Sequence, residues 1–140
     1  MVSASDVIGL LELSQHPEGG WFRETWRADT PSGKRPAGTA IYYLLTEGER
    51  SHWHRVDSAE IWHFYAGDPL QLEISRDGKA VDTLVVGSDL RRGHRPQHIV
   101  PPRTWQAARS LGAWTLVGCT VSPGFEFDGF ELAPEGWHPG

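Results

Sequence analysis

Between Gly48 and Gly67 the chain sets two histidines and a glutamate in the pattern Gly48-x3-His52-x-His54-x5-Glu60-x6-Gly67. Side chains two apart on a strand share a face, so His52 and His54 can converge on one point, and a hairpin partner can bring Glu60 beside them. Two imidazoles and a carboxylate are a donor set for iron, manganese or zinc. The segment Pro101-x-Arg103-x-x-Gln106 can add the Gln106 amide oxygen, as a fourth metal ligand or as a hydrogen-bond partner for substrate. The same groups support a reaction without metal. There His54 takes a proton from carbon next to a carbonyl, Glu60 orients the imidazole, and Tyr43 or Tyr65 returns a proton from the other side. A third use is binding alone, of a small apolar or carboxylated ligand.

Other residues are weighed against simpler roles. Phe22, Trp62, Phe64 and Trp105 are expected first as core, since a small barrel fills itself with side chains, and second as walls of a ligand cavity. Arg23 and Arg55 can fork onto an anionic substrate group or form surface ion pairs. Cys119 lies in the apolar run Leu116–Val121 with no basic neighbour in sequence, which predicts a buried, inert thiol. His63 alternates with its neighbours and is expected to face away from Glu60. His94, His98 and His138 fall in or near turns, and His16 is expected to make a structural loop contact.

The elements that must position these groups are short. Ser3-Ala4-Ser5-Asp6 followed by Val7, Ile8, Leu10 and Leu11 reads as a capped helix ending near Gln15, and His16-Pro17-Glu18-Gly19-Gly20 breaks it. Runs rich in β-branched and aromatic residues follow at 21–28, 39–46, 51–55, 60–66, 70–76, 80–87, 97–101, 105–110 and 113–122. Glu47-Gly48, Gly67-Asp68-Pro69 and Asp77-Gly78 mark hairpins between them, and residues 31–38 read as a surface loop. Nine such runs without an intervening amphipathic helix predict an all-β sandwich, jelly roll or small barrel.

Composition narrows the partners. A chain of 140 residues fits one domain, and a net charge of -5 with scattered basic residues speaks against nucleic acid. Its one cysteine fits a reducing compartment, with cytoplasm the default. No apolar run reaches bilayer-spanning length, so no membrane segment is expected.

The two polar segments resemble the signature motifs of the cupin superfamily, Gly-x5-His-x-His-x3-4-Glu-x6-Gly and Pro-x-Gly-x2-His. More closely, the chain resembles a small single-domain cupin family of bacteria and yeast, long known as a domain of unknown function. The resemblance is carried by His16–Glu24, Ser58–Gly67, Val100-Pro101-Pro102, Trp105-Gln106 and Cys119–Phe125 with Phe127 and Phe130. It runs from about the tenth residue to the end and implies a double-stranded β-helix that often forms a homodimer; with the short N-terminal helix read above, residues 1–140 are expected to form a single cupin domain. It also implies architecture similar to sugar-nucleotide epimerases, hence a small-molecule pocket with isomerase or epimerase chemistry on a sugar or other carbonyl compound. One divalent transition metal on His52, His54, Glu60 and Gln106, serving an oxygenase or lyase, is the alternative. The chain departs from the broad motif at Arg103, in place of Gly, at Gln106, in place of His, and in the spacing around His52.

Overall fold

The computed structural model describes residues 2–140. Helix α1 (Ala4–Leu11) starts on a reciprocal cap, in which the Ser3 hydroxyl accepts from the Asp6 N–H at 3.1 Å and the Asp6 carboxylate from the Ser3 N–H at 3.0 Å. It ends sooner than its sequence predicts, because Glu12 turns left-handed and the chain extends at once into a strand. The strands are β1 (Ser14–Gln15), β2 (Trp21–Arg27), β3 (Thr39–Thr46), β4 (Arg50–Val56), β5 (Ala59–Gly67), β6 (Leu70–Ser75), β7 (Asp82–Val86), β8 (Gln97–Val100), β9 (Trp105–Ser110), β10 (Trp114–Ser122) and β11 (Phe130–Leu132). All nine predicted runs form strands. The two-residue β1 and three-residue β11 are additions that a period-two pattern is too short to reveal.

Two antiparallel sheets result, ordered β1-β2-β3-β10-β5-β8 and β11-β4-β9-β6-β7. Their facing sides supply one core: Tyr43, Leu45, Trp62 and Val117 from the first pack against Leu70, Leu72, Val86 and Ala108 from the second. Burial of each large apolar side chain contributes roughly 1.5–3 kcal/mol, so this layer holds the sandwich shut. Helix α1 lies outside it, with Val7, and Leu13 just after the helix, packed with Leu44. On the outer face of the second sheet, Trp137 packs against Trp53 and Trp105. No helix among the described residues is long and apolar enough to cross a membrane.

Candidate functional site

One end of the sandwich is left hollow, a cavity of about 280 Å³ lined by residues of β2, β3, β4, β5 and β10, the loop before β2, and the segment after β10. Strand β10 sends Cys119 and Val121 inward, its neighbours send Ile41, Thr39 and Glu60, and β4 supplies His54 and Val56 from the opposite sheet. This is the alternation expected of adjacent antiparallel strands. Gln106, paired with His54 across β4 and β9, ties the sheets together. Its amide nitrogen donates to Glu60 Oε1 at 2.9 Å, while its oxygen accepts the Trp62 indole N–H at 2.8 Å.

Two further residues enter from the loop between β1 and β2. His16-Pro17-Glu18-Gly19-Gly20 closes on itself through the His16 N–H to the Gly20 carbonyl and the Gly19 N–H to the His16 carbonyl, which drives His16 and Glu18 into the barrel end. Glu18 Oε2 lies 3.4 Å from His54 Nε2, accepts the Ser51 hydroxyl proton, and has the Tyr43 hydroxyl oxygen 3.4 Å away. The single Tyr43 hydroxyl proton is donated to the Gly19 carbonyl.

The two imidazoles are held in opposite tautomers. His54 Nδ1 lies 2.8 Å from the His52 carbonyl, which can only accept, so Nδ1 carries the proton and Nε2 is left as a lone pair. At His16 the relation is reversed: Nδ1 accepts the Glu18 backbone N–H at 3.1 Å, so the ring proton sits on Nε2, which has no hydrogen-bond partner among the described residues. Both side chains are nearly enclosed, 5% exposed for His16 and 2% for His54. The cavity therefore presents one neutral imidazole donor and one neutral imidazole acceptor.

Burial sets the charges. It lowers His16 to about 4, helped by His54, and lowers His54 as well. It raises Glu18 to about 8 against the pull of the Ser51 and Tyr43 hydroxyls, and Glu60 to about 7 against that of His54. Near neutral pH the hollow thus holds neutral imidazoles beside a Glu18 carboxyl that keeps its proton and a Glu60 carboxyl near its midpoint. A raised carboxyl binds its proton more tightly in the folded chain, so its stabilising effect is lost as pH climbs from 4.5 through about 7 and about 8. His16 acts in the opposite sense, losing its contribution as pH falls from 6.5 toward about 4. About a pH unit above 6.5 the histidines are neutral in both states and the carboxyls dominate, so the melting temperature falls between about pH 7.5 and about pH 8, and Glu18→Gln flattens that fall. Thermal melts over that range test this; a rising Tm contradicts the assignment.

The structure separates several residues that the sequence grouped. His52 does not join His54, because β4 carries a bulge between Ser51 and His54, and His52 turns outward onto the Pro134 carbonyl at 3.0 Å. The N–H that the bulge frees donates to the Glu18 carbonyl at 2.8 Å, joining the inserted loop to the strand. Tyr65 is 52% exposed, its ring laid over Gly118 on the outer face of the first sheet, far from proton-return duty. Tyr43 is buried but stands behind Glu18, where burial pushes its phenol well above the ordinary range. Arg23 pairs with Glu12 at 2.9 Å outside the barrel, and Arg55 pairs with Glu131 and lies 4.4 Å over the Trp105 ring. Trp105 thus belongs to the outer tryptophan cluster, and Trp62 and Phe64 to the central core; of the predicted aromatic walls only Phe22 lines the cavity. His63 faces away from Glu60, bonded to Thr120. Cys119 is buried with its thiol pushed well above its ordinary value, yet it does line the cavity.

The four-residue metal set does not assemble. His52 faces the wrong side, and the Gln106 oxygen is committed to Trp62, whose indole can only donate and so fixes the amide's orientation. Among the described residues no three His, Cys, Asp or Glu side chains are grouped to grip an ion. His16 and Glu18, which the sequence reading gave respectively a structural role and none, take the places beside His54. The available signal was a histidine and a carboxylate flanking Pro17 ahead of two glycines, a turn tight enough to enter a barrel.

Comparison with known proteins agrees with this architecture. A solved structure of protein SO0799 from Shewanella oneidensis superposes with a TM-score of 0.90 at 41% identity, over 95% of this chain and 85% of that one. A hypothetical protein from Leishmania major gives 0.86 at 33% identity, over 96% and 89%. The uncharacterized protein YML079W of Saccharomyces cerevisiae is 27% identical over 90% of this chain and 73% of its own length. An oxalate decarboxylase variant from Bacillus subtilis shares the fold, with a TM-score of 0.64 at 13% identity, over 84% of this chain and 29% of that larger one. The family model described as Cupin superfamily (DUF985) matches residues 5–133, and the chain belongs to that family.

Proposed function

We propose that the chain is a proton-transferring enzyme, an isomerase or epimerase that binds a small carbonyl-bearing metabolite in this cavity. The observation that carries the reading is the pair of imidazoles locked in opposite tautomers on one enclosed hollow. His16 Nε2–H hydrogen-bonds the substrate carbonyl oxygen and stabilises the negative charge that grows there. His54 Nε2 removes the hydrogen from the adjacent carbon; the C–H electron pair forms the enol double bond as the carbonyl π pair moves to oxygen. Protonation of the enolate at carbon, by Glu60 or by the His54 imidazolium, restores the carbonyl; when Glu60 gives the proton, the one held by His54 passes to solvent and Glu60 takes one back, which resets both groups. A base freed of its proton by burial and an acid kept protonated by burial are the combination such a cycle uses. Gln106 is a positioning residue, its amide holding Glu60. A volume near 280 Å³ is at the small end of ligand pockets, about 300–1,000 Å³, which favours a single small metabolite.

Incubation in D2O with a panel of small aldoses, ketoses, amino sugars and keto acids tests the reading by proton NMR. Enzyme-dependent loss of the signal next to a carbonyl is expected for one class. Tight binding of a carbonyl compound with no exchange at any pH would leave a binding protein and overturn the enzymatic assignment.

A further inference from the structure

The mouth of the same cavity has a charge of its own. Glu24, Glu126 and Asp128 line it, with Arg27 the one lysine or arginine among its lining residues. That guanidinium is already occupied: its Nε and Nη2 fork onto Glu24 at 2.9 and 2.8 Å, and Nη2 also donates to the Phe125 carbonyl at 3.0 Å. A further cation, Arg35, is spent in the same way on Asp57, on the Ser58 hydroxyl and on the Gly124 carbonyl, and reaches Glu126 only at 3.5 Å. Arg27 and Arg35 thus serve Glu24, Asp57 and Glu126, while Asp128, which shares a second hollow with Arg55 and Arg103, makes no ion pair among the described residues. Beside these carboxylates, Phe125 and Phe127 meet edge to face at 5.0 Å, and Phe127 is largely exposed at the opening. Aromatic faces next to uncompensated carboxylates attract organic cations through both the ring quadrupole and the charge. Deeper in, His16 Nε2–H points to no protein acceptor, so a polar ligand atom has a donor waiting for it.

We propose that the cavity takes a small carbonyl compound carrying a cationic amino group, the amine held at the mouth by Glu126 and Asp128 beside Phe125 and Phe127, and that it turns anionic metabolites away. This rests on the proton-transfer reading for the carbonyl end of the ligand; the charge selection itself can be measured without turnover. Arg23 and Arg55, which the sequence offered for an anionic group, do not line the cavity, which leaves Arg27, already forked onto Glu24, as the arginine among its lining residues that could meet a phosphate or carboxylate.

The native Cys119 is the probe, being the chain's single cysteine and a lining residue. Three methanethiosulfonates are compared by intact mass: trimethylammonium-ethyl (cationic), sulfonatoethyl (anionic) and methyl (neutral). In each, the Cys119 sulfur forms a disulfide, methanesulfinate leaves with the electron pair, and the thiol proton goes to solvent. The cation-to-anion rate ratio in the folded chain is divided by the same ratio in the urea-unfolded chain. We expect a preference of about tenfold or more for the cation, weakened by salt, and its collapse to within about twofold in the double variant Glu126→Gln, Asp128→Asn. Equal or inverted rates, with the neutral reagent still reacting, overturn the charge selection and leave the proton-transfer reading standing. A preference that survives the double substitution assigns the bias to Glu60 and also overturns the proposed mouth. Should the raised Cys119 thiol resist even the neutral reagent, the selection is read by NMR titration of the folded chain with tetramethylammonium against methanesulfonate, and no preference for the cation overturns the charge selection.

Discussion

Solvent exchange at the carbon next to the carbonyl drops by about 10²–10⁴-fold in His54→Gln, the loss expected when a positioned general base is removed. Gln retains bulk and hydrogen-bonding capacity but cannot take up a proton, so binding of the ligand, read by calorimetry, changes far less than exchange. The control is His52→Ala. Its ring sits outside the barrel on the Pro134 carbonyl, so exchange persists at close to the wild-type rate. The pair of variants separates two chemistries. If His52→Ala abolishes exchange as completely as His54→Gln, the two histidines act together, and the metal arrangement suggested by their spacing replaces the one argued from the tautomers.

A second large effect is expected at Gly19, on the turn that inserts Glu18. Its φ of +106° is one that residues with a side chain rarely adopt, and an added methyl would overlap the Arg50 backbone carbonyl oxygen. Backbone cannot retreat as a flexible side chain would. Gly19→Ala therefore costs roughly 3 kcal/mol or more in urea unfolding, at the upper end for single substitutions, and exchange activity falls with it because Glu18 and His16 move. Gly33→Ala supplies the comparison. It has a positive φ of +79° but open space around it, so only the conformational cost of about 1–2 kcal/mol remains. Equal losses at both positions would show that the 16–20 loop is free to shift, and would remove the rigid basis of the His16 tautomer.

How the loop and β4 meet explains why one part of the site was hidden. The His52 N–H, released from the β9 ladder by the bulge, bonds to the Glu18 carbonyl, so each feature supplies the partner the other lacks. Neither is visible in its own stretch of sequence. A strict two-residue period across 51–55 sends His52 and His54 to one face; the bulge replaces that pairing by Ser51 with His54, both of which reach Glu18. Arg55 on β4 and Trp105 on β9 follow the same logic, since the inward row of each strand is set by register and not by residue type.

The sequence alone determined the strands, because alternating apolar residues and Gly-bearing turns such as Asp77-Gly78 act over a few neighbouring residues. It also determined that His54, Glu60 and Gln106 come together, which the fold then achieved by facing two sheets across one hollow. Only the tertiary structure decided that His52 leaves, that His16 and Glu18 arrive, and that the mouth is acidic. These outcomes depend on hydrogen bonds and burial between segments distant in the chain, and the free energy of such contacts exists only once both segments are in place.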